Sequence, residues 1–569
     1  MKSMGLRRVV VGAVWGTLLV VQVGCSSADA GDAGTRGPSG SSQNSNNGNG
    51  NPAIGIGAQP QPSVPSASGG ASSTGVSSSL PIGNEAEDSD EPSAVDPAEA
   101  PTGFVLTAHD PWSTFGADVD TASYDLFRQA ANNGVLPDKA SVRLEEYVND
   151  FKYAYPPPAE DSSTPFSISL AAAPGMYGRD TQLLRVGIRG KDAKATEKLP
   201  TNLVFLVDTS GSMQSAEKLP LVKRVLTDTL DVLQPTDTVS IVTYAGFTSV
   251  ALTPTPVSNK EKIASVIASF DAGGSTAGAA GLNLAYEQAK AGFLEGGLNH
   301  VLLCTDGDFN VGPSSTAELV RMIEEKRKSG ITLTVLGFGQ GLNDSMMESV
   351  SNKGNGVYGV ISSAQQADSY VKERMLSTLT FIAKDMKIQV EFNPERVYAY
   401  RLLGYEDRAI ADNDFRNDVI DAGEVGAGHR VTALYELALT SDALPTTSGI
   451  PAPQGGPAFT DPLEVGADAL ALVKVRYKDR DAAETDAAYE VSQALLPEHF
   501  IAEASEADDD FAWAMAVASF AEVLKGSPYA SRSSLPAIEG FVKRPSFAAD
   551  PDRAEFVTLF DKASPLLAH

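Results

Sequence analysis

The sequence predicts an α/β protein, a doubly wound parallel sheet inserted between segments of a β-sandwich, and three observations carry that prediction. Two continuous apolar runs, Leu203 to Val207 and Val301 to Cys304, read as strands buried on both faces, as in a parallel sheet covered by helices. Strands and helices alternate around them, which is the pattern of a doubly wound sheet. Outside this block lie shorter strands of period 2: Phe166 to Leu170 and Leu183 to Ile188 before it, and Met386 to Phe392, Val397 to Leu403, His429 to Leu439 and Ala469 to Tyr477 after it. Flanking strands on both sides of the block imply one sandwich that it interrupts.

In chain order, residues 1–24 form a targeting segment. Lys2, Arg7 and Arg8 precede the apolar run Val9 to Val21, too short for a spanning helix and right for a secretory signal. The run ends in Gln22-Val23-Gly24-Cys25-Ser26-Ser27. This resembles the lipobox of bacterial lipoproteins, with Gln22 where that family prefers Leu. The resemblance implies cleavage before Cys25, lipidation of Cys25 and anchorage in the bacterial cell envelope. Ser26 resembles an outer-membrane sorting signal. A di- or triacylated Cys anchors durably, whereas one chain does not.

Residues 25–103 continue as Ser, Gly, Asn, Pro and Ala without an aromatic residue, and Ser39 to Asn84 carries no charge. Such a segment buries too little apolar area to offset its ordering entropy and is expected to be a disordered tether. As a Gly/Ser coil its root-mean-square reach is about 50 Å.

Residues 104–199 hold a small domain with Pro111-Trp112-Ser113-Thr114-Phe115, a turn at Asn132-Asn133-Gly134 and a helix over Val142 to Phe151. Residues 200–380 form the α/β block. After Leu203 to Val207 a helix places Leu219, Val222, Leu226, Leu230 and Leu233 on one face. Strands follow at Thr238 to Ala245, Ile331 to Gly337 and Val357 to Ile361. Helices are expected at Lys260 to Phe270, Ala277 to Lys290, Ser315 to Lys328, Asp344 to Asn352 and Ala364 to Leu379. Residues 381–569 carry the later strands and then helices, of which Phe511 to Leu524 begins after Asp508-Asp509-Asp510 and ends at Gly526, both favourable to a helix. Its apolar residues are expected to seal the domain.

Composition excludes several chemistries. Forty-four Lys and Arg against 72 Asp and Glu give a net charge of −28, which argues against a nucleic-acid partner. Two cysteines rule out a disulfide scaffold, and Cys304, inside an apolar strand, reads as a buried structural thiol. Five histidines include no HExxH pair.

The strongest signal is a set of three loops. The first buried strand runs into Asp208-Thr209-Ser210-Gly211-Ser212, where alternate oxygen-bearing side chains sit at the carboxyl end of a strand. Gly273-Gly274-Ser275-Thr276 opens a helix, and the second buried strand ends in Thr305-Asp306-Gly307-Asp308. Carboxylate and hydroxyl oxygens suit a hard cation such as Mg²⁺. In this order the set resembles the metal-ion-dependent adhesion site of von Willebrand factor type A domains, which are Rossmann-like in fold. The resemblance implies a metal site of Asp208, Ser210, Ser212, Thr276 and Asp306, with Ser275 as the alternative to Thr276. It implies Mg²⁺ as cofactor, with Mn²⁺ or Ca²⁺ as alternatives, completed by an Asp or Glu carboxylate of a protein ligand. No enzyme is expected. A metal-assisted hydrolase needs a general base, and Asp308 is the one nearby candidate.

The flanks, with Asp118-Val119-Asp120-Thr121 before and Tyr400-Arg401-Leu402-Leu403-Gly404-Tyr405, Asp421-Ala422-Gly423-Glu424 and Val431-Thr432-Ala433-Leu434-Tyr435-Glu436 after, resemble a family of bacterial envelope proteins similar to the YfbK group. The resemblance spans about 104–569. Two motifs are set aside. Gly337-Phe338-Gly339-Gln340-Gly341 lacks the dinucleotide spacing. Asp412 to Glu424 has Arg416 at a ligand position of a calcium loop and is expected to be a solvated turn.

Overall fold

The computed structural model describes residues 102–567, apart from 118–119, 178, 193–197, 276–277, 308–315, 419–421, 447–448, 481 and 483–485. The signal segment 1–24, Cys25 and most of the tether lie outside the described residues, as do Thr276 and Asp308.

Strands β1 (Val105–Leu106), β2 (Trp112–Gly116), β3 (Phe166–Pro174) and β4 (Gln182–Gly190) precede the central block. That block holds β5 (Thr201–Asp208), β6 (Thr238–Tyr244), β7 (Thr248–Pro256), β8 (Leu298–Thr305), β9 (Ile331–Phe338) and β10 (Tyr358–Ile361). After it come β11 (Phe381–Phe392), β12 (Ala399–Leu403), β13 (Gly423–Gly426), β14 (Arg430–Ala438), β15 (Ala471–Asp479) and β16 (Tyr489–Leu495).

The central sheet has the order β10-β9-β8-β5-β6-β7. All its pairings are parallel except that of β7 with β6. Every residue of β5 and β8 is buried, which their uninterrupted apolar sequence required. Leu219–Val232 and Lys260–Ala268 pack on one face through Val222, Leu226 and Ile263. Gly278–Ala291 and Asp344–Lys353 cover the other through Leu282, Ala285 and Met347. The sheet is thus doubly wound, as expected. The helix read over 364–379 is not uniform: Ala364–Ser369 passes into a π-helical turn at Tyr370–Met375 before Leu376–Thr378. From that wide turn Arg374 reaches Thr121 and Asp150.

The flanking strands form two antiparallel sheets. One has the order β1-β12-β14-β4-β3; in the other, β13-β11-β15-β16, β2 also pairs with β11, end to end with β13. Leu184, Val186 and Tyr435 of the first face Ile388, Val390, Val473 and Val475 of the second in one apolar core. Segments before and after the central block therefore build the same sandwich.

A helical layer closes the other side of the first sheet. Asp509–Lys525 starts at Asp508, whose carboxylate accepts from the Phe511 N–H at 2.7 Å, and ends at Gly526 with φ 75°. It is buried on every side from Phe511 to Leu524, as an all-round apolar helix must be. Tyr124, Phe127 and Phe151 from the N-terminal side interlock with its Trp513 and with Phe556 of Pro551–Leu567. No helix among the described residues is long and apolar enough to cross a membrane.

The acid-rich stretch after Asp412 is a clasp rather than a solvated turn. Lys387 Nζ donates to the carbonyls of Asp414 and Asn417, Lys478 Nζ to that of Asp418, and Arg476 to the Asp418 carboxylate at 2.8 Å. Lys387 and Lys478 are 2% exposed, and the loop's oxygens, with Asp385 at 3.1 Å from Lys478, satisfy these buried cations.

Candidate metal centre

Parallel pairing of β5 with β8 sets Val207 opposite Cys304, so Asp208 and Asp306 emerge together at the carboxyl edge of the sheet. Asp208 is buried; its Oδ1 accepts from the Ser210 N–H at 2.8 Å and its Oδ2 from the Thr305 hydroxyl at 3.4 Å. The following turn, Gly211–Gln214, is pinned by buried Met213 and leaves Ser212 at the surface. The Ser210 and Ser212 hydroxyls lie 2.9 Å apart.

Two backbone hydrogen bonds lace the second loop to the first: Gly273 N–H to Thr209 O at 2.8 Å and Gly211 N–H to Gly274 O at 3.0 Å. Gly274 has φ +89°, and a Cβ there would stand 3.2 Å from the Gly246 nitrogen, so glycine is what lets the loops close. Ser275 is exposed at this junction, next to Gly246. From the third loop buried Asp306 accepts from Lys218 Nζ, at 2.8 Å from Oδ2. Burial pushes the Asp208 carboxyl above the usual range, the Asp306 charge adds to this, and the Ser210 hydrogen bonds oppose it.

The structure thus brings Asp208, Ser210, Ser212 and Asp306 together, with Ser275 on the adjoining loop. The donor set fits a hard divalent ion. Ligand oxygens 2.0–2.1 Å from one Mg²⁺ at right angles are about 2.9 Å apart, and the two serine hydroxyls, hydrogen-bonded to each other, have a separation compatible with that. Sequence reasoning did not single out Lys218 or Phe247. Phe247 is 77% exposed at the tip of the β6–β7 hairpin, whose Gly246 touches the second loop.

Other groups behave as structural ones. Burial pushes the Cys304 thiol far above its ordinary range, and no partner thiol exists among the described residues. A cavity of about 1170 Å³ runs beside Asp344–Lys353, but none of the metal-loop residues lines it. Charges on its wall pair with each other, Arg143 with Asp344 at 2.7 Å and Arg408 with Asp120 at 2.8 Å.

Comparison with known proteins agrees with the α/β fold of the central block. Residues 202–373 match the von Willebrand factor type A domain, 98–185 a von Willebrand factor family model, and 377–566 the family "Uncharacterized protein YfbK, C-terminal". The Escherichia coli (strain K12) protein "Uncharacterized protein YfbK" is 38% identical over 465 residues, covering 80% of this chain and 78% of that protein. The chain belongs to the YfbK family. Its central block is a von Willebrand factor type A domain, a kind of domain that commonly serves as a metal-dependent adhesion or protein-interaction module. More distant relatives share less of the chain. Human inter-alpha-trypsin inhibitor heavy chain H4 is 27% identical over 198 residues, covering 32% of this YfbK-family chain and 21% of that protein. Among solved structures, a von Willebrand factor type A protein from Catenulispora acidiphila covers 71% of this chain and 90% of its own at 13% identity and TM-score 0.41. Proximal thread matrix protein 1 from the mussel byssus, solved with a zinc-occupied MIDAS motif, covers 31% and 47% at 21% identity and TM-score 0.27.

Proposed function

We propose that this protein is a lipid-anchored adhesion module of the bacterial envelope that binds a protein partner through a divalent ion. The observation that carries the reading is the pair of serine hydroxyls 2.9 Å apart beside two buried carboxylates, at the open end of the sheet. Asp208, Ser210, Ser212, Thr276 and Asp306 would hold the ion, Mg²⁺ or else Mn²⁺ or Ca²⁺. A bound ion supplies a Lewis-acidic position for a carboxylate oxygen of a partner Asp or Glu. Asp208, fixed by the Ser210 N–H, keeps its charge where that ion sits, and the loop-to-loop hydrogen bonds hold the hydroxyls on one side of it. Around the site Ser212, Gln214, Ser215, Gly273, Gly274 and Ser275 are exposed and uncharged, with exposed Glu217 and Asp271 at its rim. Phe247 adds an apolar contact at its edge.

The anchor follows from Cys25, and a tether of roughly 50 Å reach would let the folded part search for its partner from an outer-membrane surface. A purely structural role has one observation in its favour: Lys218 is itself a counter-charge to Asp306.

Capture from envelope extract separates these. The chain from residue 25, made soluble by Cys25→Ser, is used as bait in Mg²⁺ and in EDTA, with Asp208→Ala as control. A protein retained only by the Mg²⁺-loaded wild type is the expected result. Equal or empty capture in all lanes rejects adhesion and leaves the structural role.

A further inference from the structure

Lys218 stands immediately before the helix Leu219–Val232 and points back into the metal site. Its ammonium donates to Asp306 Oδ2 at 2.8 Å; the lysine side chain is 18% exposed and the carboxylate 1%. The approach is built into the backbone. The lysine stem crosses Gly339, where a Cβ would come within 2.6 Å of Lys218 Cε and 3.0 Å of Cγ, and Gly339 also has φ +88°. The glycine-rich run after β9, which has no dinucleotide spacing, thus serves as the saddle over which the lysine reaches the third metal loop.

We propose that Lys218 is a resident counter-charge that weakens metal binding and strengthens carboxylate binding at the loaded site. This rests on the reading of the three loops as a metal centre. The charge count carries it. Asp208, Asp306 and Lys218 sum to −1; a divalent ion takes the site to +1, and a partner carboxylate brings it to zero. Without Lys218 the same states are −2, 0 and −1. One positive charge therefore opposes the cation and favours the anion that follows it, and within a partly buried site each effect is about tenfold in affinity. The site then holds metal only moderately, but once loaded it attracts an acidic ligand instead of merely tolerating one.

The test is Lys218→Met in the otherwise unchanged chain, with Lys218→Gln as the second variant should Met fold poorly and Lys218→Arg as the charge-preserving control. Mn²⁺ alone is titrated by electron paramagnetic resonance, and acetate is then titrated into the Mn²⁺-loaded protein by water proton relaxation. The expected result is Mn²⁺ bound about tenfold tighter by the Met or Gln variant, acetate bound several-fold more weakly, and both unchanged in the Arg variant. A separate readout is thermal melting in EDTA, where the variant should melt below wild type because the ion pair of Lys218 with Asp306 is gone, while Mn²⁺ raises its melting temperature by more. Mn²⁺ affinity unchanged or lowered in Lys218→Met overturns the proposal and leaves the metal centre standing. No Mn²⁺ binding by wild type and variant alike overturns the metal reading and the proposal with it.

Discussion

Arg401 grips Glu522 with both terminal nitrogens of its guanidinium, each 2.9 Å from a carboxylate oxygen, and the two side chains are 1% and 3% exposed. Arg401 belongs to β12 and Glu522 to the buried helix Asp509–Lys525. Glu436 of β14 accepts from the same guanidinium at 2.8 Å and from Arg179. Two arginines and two glutamates thus neutralise each other where the helical layer meets the sandwich.

Glu522→Ala should destabilise the protein by about 3–5 kcal/mol, because it strands part of a buried guanidinium charge. Replacing Arg401 and Glu522 together by Met should recover much of that loss. Denaturant unfolding followed by circular dichroism decides it; a single-variant loss below about 1 kcal/mol would show the pair to be dispensable.

Acid should weaken the fold through His300. It is buried within β8, its Nδ1 2.6 Å from the Thr332 hydroxyl, and burial alone holds its pKa down to about 4. The unfolded chain takes up this proton below about pH 6.5 and the native chain only below about 4, so stability falls as pH drops through that window. At pH 4.5 the loss from this group is about 2.5 kcal/mol. His300→Gln cannot titrate, so its stability deficit against wild type should shrink by about that amount between pH 7.5 and 4.5. Asp125 and Asp412, both pushed up to about 6, act in the opposite sense in both proteins and cancel in the difference. A deficit that stays constant with pH would assign the acid limb to other groups.

Phe247→Ser should cut affinity for the captured partner by about tenfold, the loss typical of an exposed aromatic anchor. Mn²⁺ affinity should not change, since Phe247 is on the hairpin and not in a metal loop. Equal partner affinity in variant and wild type would place the contact on another edge of the site.

The two central strands were legible because a strand buried on both faces has no choice but a continuous apolar run. The first metal loop was legible because β5 ends directly in it. Less visible was β7, where Thr253, Pro254, Thr255 and Pro256 dilute the strand signal; an edge strand tolerates prolines because one side of its backbone needs no partner. The short strand β13 was missed too, since it is held by pairing with β11, distant in sequence but next to it in the same sheet, and not by its own residues. The contact of Lys218 with Asp306 spans two loops and depends on a bare Cα at Gly339, which no local pattern in the sequence announces.

The interleaved sandwich constrains the order in which the chain can fold. β1 pairs with β12, β2 with β11, and β4 waits for β14, so the first folded residues have no complete sheet until the polypeptide has been made well past the central block. The block itself pairs within its own sequence and can close first. Between those moments β2 and β4 have unpaired ladder groups and apolar faces uncovered. That interval is when binding by a holding chaperone would matter most.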